Sequence, residues 1–164
     1  MQPAMIKCSR FELELVISKL KADNPKKYWG LTDYVQPLDA DSLWIGCGAF
    51  RIEVQGEPVG YFLVRHDRKG FLVEQVLKLP RASDRVAQMV VQWLTTQYPG
   101  ALLRLDCFDD VLPVWLQTNE SARVVESLPF SPSLAPFAWS SEYGFPRVHH
   151  VRMRLSGFDS EGSY

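Results

Sequence analysis

The sequence predicts an α/β fold (an α+β mixed sheet): a central mixed β-sheet of about six to seven strands with helices on both faces. Three observations carry this. Residues 49–79 hold three β-rich segments separated by short turn signals, which predicts an antiparallel meander. A later strand–helix–strand unit requires a parallel pair joined by a crossover helix. Amphipathic helices before and after the meander leave a sheet covered on both faces as the consistent architecture.

Ala4–Cys8 reads as a short first strand. Ser9 is an N-cap, with Glu12 three residues later completing a capping box. Leu13, Val16, Ile17 and Leu20 share one face, so 10–22 is an amphipathic helix, ended by Asn24-Pro25. Residues 26–40 are irregular or weakly helical and carry Tyr28, Trp29 and Tyr34. Ala49–Gln55 alternates with period two. Gly56-Glu57-Pro58 is a turn, Val59–Arg65 a strand, Asp67-Arg68-Lys69-Gly70 a second turn and Phe71–Leu79 another strand. Asp84 can cap the next helix, 85–98, whose Val86, Met89, Val90, Trp93 and Leu94 form one stripe. Pro99-Gly100 stops it. Ala101–Cys107 is a strand, Asp109 or Asp110 caps a short helix through Thr118, and Arg123–Leu128 is a strand. Residues 129–146 form a long aromatic loop with four prolines. Arg147–Leu155 is the last strand, read as a sheet edge at which a second chain could pair to give a homodimer. Residues 1–155 make one domain, and the Gly/Ser/acidic stretch 156–164 is a flexible tail.

Composition bounds the function. The chain has 164 residues, 46% of them apolar, and a net charge of −1 from 18 Lys+Arg and 19 Asp+Glu. That balance argues against general nucleic-acid binding and against a polybasic membrane anchor. No apolar run is long enough to span a bilayer, and the N-terminus lacks a signal-peptide pattern, so a cytoplasmic location is expected. Cys8, Cys47 and Cys107 form no Cys-x-x-Cys pair. They read as core residues in a reducing compartment, and no metal is expected.

The order of elements, together with particular residues between 71 and 128, resembles the GNAT (Gcn5-related N-acetyltransferase) superfamily, as a divergent member. Leu72-Val-Glu-Gln-Val-Leu-Lys-Leu-Pro resembles the family's central fourth strand. Arg81-Ala-Ser-Asp-Arg-Val stands where the family has its Arg/Gln-x-x-Gly-x-Gly/Ala loop. Trp115-Leu-Gln-Thr-Asn and then Ala122-Arg-Val-Val-Glu resemble its next helix and strand. The resemblance implies acyl transfer from acetyl-CoA (acyl-CoA) to a small-molecule or protein amine. It implies that Val76, Leu77, Lys78 and Leu79 pair with the pantetheine arm. Arg81, Ala82, Ser83, Asp84, Arg85 and Val86 would meet the diphosphate, since a helix N-terminus favours anions. It implies Glu74 as the base, with Tyr143 able to reach the site. Tyr28, Trp29 and Trp139 would line the acceptor groove.

Three positions depart from the family pattern. Asp84 replaces the first glycine of the loop and Val86 the second small residue, which takes away the close backbone approach to phosphate that glycine allows. Trp115 stands where the family has its proton-donating tyrosine. These departures keep a second class of function open: a GNAT-like module that binds or assembles without catalysis. A nucleotide- or DNA-modifying enzyme is a third reading, which the near-zero net charge counts against. His149 and His150 point to opposite faces of a strand, so they cannot serve one metal together. Cys107 at a strand end has no histidine near it in sequence, and burial is expected of it.

Overall fold

The computed structural model describes residues 2–25, 47–80, 82, 85–129 and 147–156. In chain order the elements are β1 (Ala4–Lys7), α1 (Arg10–Asp23), β2 (Cys47–Val54), β3 (Glu57–Asp67), β4 (Gly70–Lys78), α2 (Val86–Gln97), β5 (Leu102–Phe108), α3 (Leu112–Leu116), β6 (Arg123–Pro129) and β7 (Arg147–Arg154). The strands make one seven-stranded sheet in the order β1-β2-β3-β4-β5-β7-β6. β4 and β5 run parallel and every other neighbouring pair is antiparallel.

The expected architecture is present, with some shifts. The first hairpin turns at Gln55-Gly56, one residue before the Gly56-Glu57-Pro58 signal, so β3 starts at Glu57 rather than Val59. Gln55 and Gly56 both take positive φ, at 55° and 81°, and Pro58 already lies in β3 opposite Glu53. β7 is not the sheet edge. It runs between β5 and β6, and β1 and β6 are the two edges. The expected cap of the short third helix is also different. Val111 takes the N-cap position with no side-chain bond, because the Asp109 carboxylate is turned to His149 instead.

Alternation divides the side chains between two cores. α1 packs Leu13, Ile17 and Leu20 over Ala49, Tyr61, Leu63 and Leu77 on one face. On the other, α2 packs Val86, Ala87, Val90, Val91 and Leu94 over Phe62, Val64, Phe71, Val73, Leu103 and Leu105. Trp93 extends that core by packing its ring on Phe50 and Phe62, over β2 and β3. The Ser9 Oγ accepts from Glu12 N at 3.1 Å, as the capping box requires. The reciprocal half is missing, because Glu12 Oε2 instead accepts from Arg51 Nη1 at 2.6 Å and Tyr61 OH at 3.0 Å. That exchange ties α1 to β2 and β3. Gly70, at φ +120°, begins β4 where a Cβ would stand 2.2 Å from the Leu102 carbonyl oxygen. The closeness lets β4 and β5 meet at their first residues.

Candidate functional site

The parallel ladder between β4 and β5 is short. Phe71, Leu72 and Val73 pair with Leu103, Arg104 and Leu105. Beyond that, β4 continues to Lys78 paired with β3, and β5 continues to Phe108 paired with β7. Two strand edges therefore face each other across an opening that starts after Val73 and Leu105. Backbone groups along such edges need partners, and an extended molecule carrying amides can take the place of a strand. The cause lies on the other side of β4. Leu63 pairs with Gln75 but Val64 with Val73, so Glu74 is an extra residue, a bulge that bends its strand and raises its twist.

A turn at the end of β4 leads to the first turn of α2. Leu79 N donates to Val59 O, and Ala82 N donates to Leu79 O, each at 3.0 Å. Val86 is buried over β3 and β4. A Cβ on Gly60 would lie 2.6 Å from Leu77 O and 3.1 Å from Val86 Cγ1, so the absent side chain is what seats the helix start there. The N-cap position belongs to Arg85, not Asp84. It makes no side-chain cap bond, and the first turn has no acidic residue. The N-terminal amides of a twelve-residue helix thus stand at the open end of the slot. Of the residues assigned to the cofactor, Val76, Lys78 and Leu79 are half-buried at this end, Leu77 is in the α1-side core, Ala82 is half-buried and Arg85 is exposed. Arg81, Ser83 and Asp84 lie outside the described residues, as do Tyr28, Trp29, Trp139 and Tyr143.

Glu74 is the first β4 residue past the parting point. Its side chain is 1% exposed, and its Oε1 accepts from Arg65 Nε at 3.1 Å and also from Arg65 Nη2. Among the described residues its Oε2 is buried without a hydrogen-bond partner, and so is Nε2 of the adjacent Gln75. Arg65, on the same face of the sheet, was not expected from the sequence. Its nine-residue separation from Glu74 spans a turn, and only the strand register brings the two together.

The adjacent histidines face opposite ways, as alternation requires. His149 is 8% exposed, beside Cys107 on the α2 face. Its Nδ1 meets Ser127 Oγ at 2.7 Å and its Nε2 meets Asp109 Oδ1 at 2.5 Å. His150 lies on the α1 face between its two cross-strand neighbours, Asp106 on β5 and Glu126 on β6. Nδ1 is bonded to Asp106 Oδ1, and Nε2 is 3.6 Å from Glu126 Oε1. A histidine does therefore stand beside Cys107, although none is near in sequence. Burial, reinforced by Asp106, Asp110 and Asp109, pushes the Cys107 thiol up to about 12, which removes it as a nucleophile near neutrality. Cys8 is only half-buried, contrary to the core reading, and desolvation with the Glu12 charge raises it to about 11. Trp115 is buried in the α2-side core. Trp93 packs over β2 and β3 on Phe50 and Phe62, away from the slot between β4 and β5. No helix among the described residues is long and apolar enough to cross a membrane.

No family model and no curated protein sequence matches the chain. Solved structures do. A probable acetyltransferase from Staphylococcus epidermidis ATCC 12228 aligns over 93% of this chain and 99% of its own, with a TM-score of 0.60 and 8% identity. The aminoglycoside 6'-N-acetyltransferase of Enterococcus faecium aligns over 94% and 98%, with a TM-score of 0.55 and 12% identity. A Desulfovibrio desulfuricans protein assigned to the GNAT family of acetyltransferases aligns over 94% and 99%, with a TM-score of 0.56 and 10% identity. At these identities the likeness is one of architecture, and with its parted β4 and β5 this chain has the GNAT acetyltransferase fold.

Proposed function

We propose that the chain is an N-acyltransferase that moves an acetyl or other acyl group from acyl-CoA to an amine on a small molecule or a protein. The carrying observation is the slot. Two strand edges, unpaired among the described residues, open at Glu74 and Asp106, and at the far end of β4 stands a helix N-terminus whose N-cap residue, Arg85, makes no side-chain cap bond. Pantetheine has the amides to pair along Val76–Leu79, and the diphosphate suits the α2 N-terminus together with Arg81 and Arg85. CoA supplies the thioester and a thiolate leaving group. On the protein side, Glu74 offers Oε2 to take a proton from the attacking nitrogen, directly or through a water. Arg65 holds the other oxygen and so fixes the carboxylate's position. Tyr28, Trp29 and Trp139 line the acceptor groove in this reading, and Tyr143 is the candidate acid. Residues 1–155 act as one cytoplasmic domain, alone or as a homodimer.

Calorimetry with acetyl-CoA tests the reading. Micromolar binding that is lost in an Arg81→Ala, Arg85→Ala double variant is expected. No detectable binding at high micromolar ligand overturns it. A second reading, a module that binds without catalysis, is favoured by one observation: Trp115, at the position of the family's acidic tyrosine, is a core residue with no transferable proton. Binding of CoA without thiol release in the presence of any amine would support it.

A further inference from the structure

We infer that Asp106, His150 and Glu126 form a proton exit from the mouth of the slot to the edge of the sheet, an assignment that rests on the acyltransferase reading. The chemistry requires such a path. An ammonium acceptor loses two protons on becoming an amide, one before its nitrogen can attack and one after. The leaving thiolate regains one of them. One proton per turnover must therefore reach solvent.

Glu74 is suited to the proton that stays inside. Its carboxylate is 1% exposed and anchored by Arg65, so it has no open path to bulk solvent among the described residues. The proton that leaves needs a route with an open end. Asp106 is the first residue of β5 past the parting point, as Glu74 is on β4. Its side chain alternates with those of Leu105 and Cys107, which are buried on the α2 face, so it stands on the α1 face with Arg65 and Glu74. From there the register runs straight across the sheet: Asp106 is opposite His150, and His150 is opposite Glu126. Among the described residues the row is open to solvent along its length and most open at its end: the side chains of Asp106, His150 and Glu126 are 36%, 32% and 59% exposed. The other charges facing His150 on this side are Arg152 on its own strand, Arg104 on β5 and Arg123 on β6, all in the neighbouring row, with Arg65 and Glu74 across the gap.

The ammonium proton passes to the Asp106–His150 pair, which then rests as carboxylate and imidazolium. Nε2–H of the imidazolium releases its proton to Glu126 or to water, and the pair returns to its starting state. The neutral amine attacks the thioester carbon, the C–S bond breaks, and the second nitrogen proton moves through Glu74 to the thiolate. Acyl group, sulfur and both protons are accounted for.

The test uses the full chain with acetyl-CoA and three primary-amine probes, spermidine, kanamycin and ethanolamine, following thiol release against pH. His150→Gln and Asp106→Asn should leave acetyl-CoA affinity unchanged by calorimetry. They should lower kcat about 100-fold with little change in the amine KM, and move the rising limb of the profile to higher pH. His150→Ala should regain rate when imidazole is added, which a structural role would not produce. An unchanged kcat and pH limb in His150→Gln overturns the relay. Acetyl-CoA binding without transfer to any probe overturns the relay and leaves the cofactor reading standing. No acetyl-CoA binding overturns both.

Discussion

Arg65 and Glu74 offer a measurement of how the bulge is held. Glu74 is almost fully desolvated, and Arg65 donates to its Oε1 through both Nε and Nη2. Arg65→Met removes that partner while keeping a long apolar stem. Stripping one partner from a buried ion pair costs about 3–5 kcal/mol, because the remaining charge is left in a poor solvent. The Arg65 side chain is 37% exposed, so water can take up part of the vacated space and screening lowers the figure. About 2–3 kcal/mol is the expected loss, or roughly 4–12 °C in Tm for a chain of this size. Glu74→Gln leaves behind only a cation that can rehydrate, and should cost about 1 kcal/mol. The double variant should then lose clearly less than the sum of the two, by about 1–2 kcal/mol. Urea unfolding of the four proteins at pH 7 measures this cycle. Additive losses, or an Arg65→Met cost below about 0.5 kcal/mol, would refute the view that Arg65 neutralises a buried charge at the bulge.

Three further outcomes follow from other parts of the fold. Gly70→Ala places a Cβ against the Leu102 carbonyl at a φ that L residues rarely adopt, so it should cost about 1–3 kcal/mol or more in urea unfolding. Gly56→Ala, with open space around it, should cost less. The Arg51 hydrogen bond, aided by that of Tyr61 and opposed by desolvation, lowers the Glu12 carboxyl below its usual range. Its contribution is therefore present above the unfolded value near about 4.3 and fades as pH falls through the folded value. Wild type should exceed Glu12→Gln in urea midpoint at pH 7, and the two should converge toward pH 3; a constant gap would contradict the assignment. Cys107, buried with its thiol near 12, should not react with a disulfide reagent at pH 8, so Cys107→Ser should leave the folded titre unchanged and lower the denatured titre by one.

The parts of the fold legible in the sequence are those encoded within one or two elements. The α1 stripe, its Ser9 cap, the meander and the α2 stripe each depend on residues within about a dozen positions of one another. The parting of β4 from β5 is different in kind. It follows from a bulge at Glu74 and from pairings between segments some 30 residues apart, neither of which leaves a local pattern. The placement of β7 between β5 and β6 reverses the chain order, and nothing in Arg147–Arg154 distinguishes an interior antiparallel strand from an edge. Asp109 shows the competition directly. Its type and position suit a helix cap, yet a histidine 40 residues later supplies a better partner. Glu74 was identifiable as a candidate from its place on the strand. Its partner Arg65, and the row Asp106, His150 and Glu126, needed the register.

β7 is read from both sides at once. On one face His149 is held by Ser127 and Asp109, and on the other its neighbour His150 is held between Asp106 and Glu126. A shift of β7 by one residue would exchange the faces and break every one of these pairings, besides turning the buried Val151 and Met153 toward the polar side. The strand thus carries its own alignment marks: as long as they hold the register, His150 stays in line with Asp106 and Glu126, and His149 with Ser127.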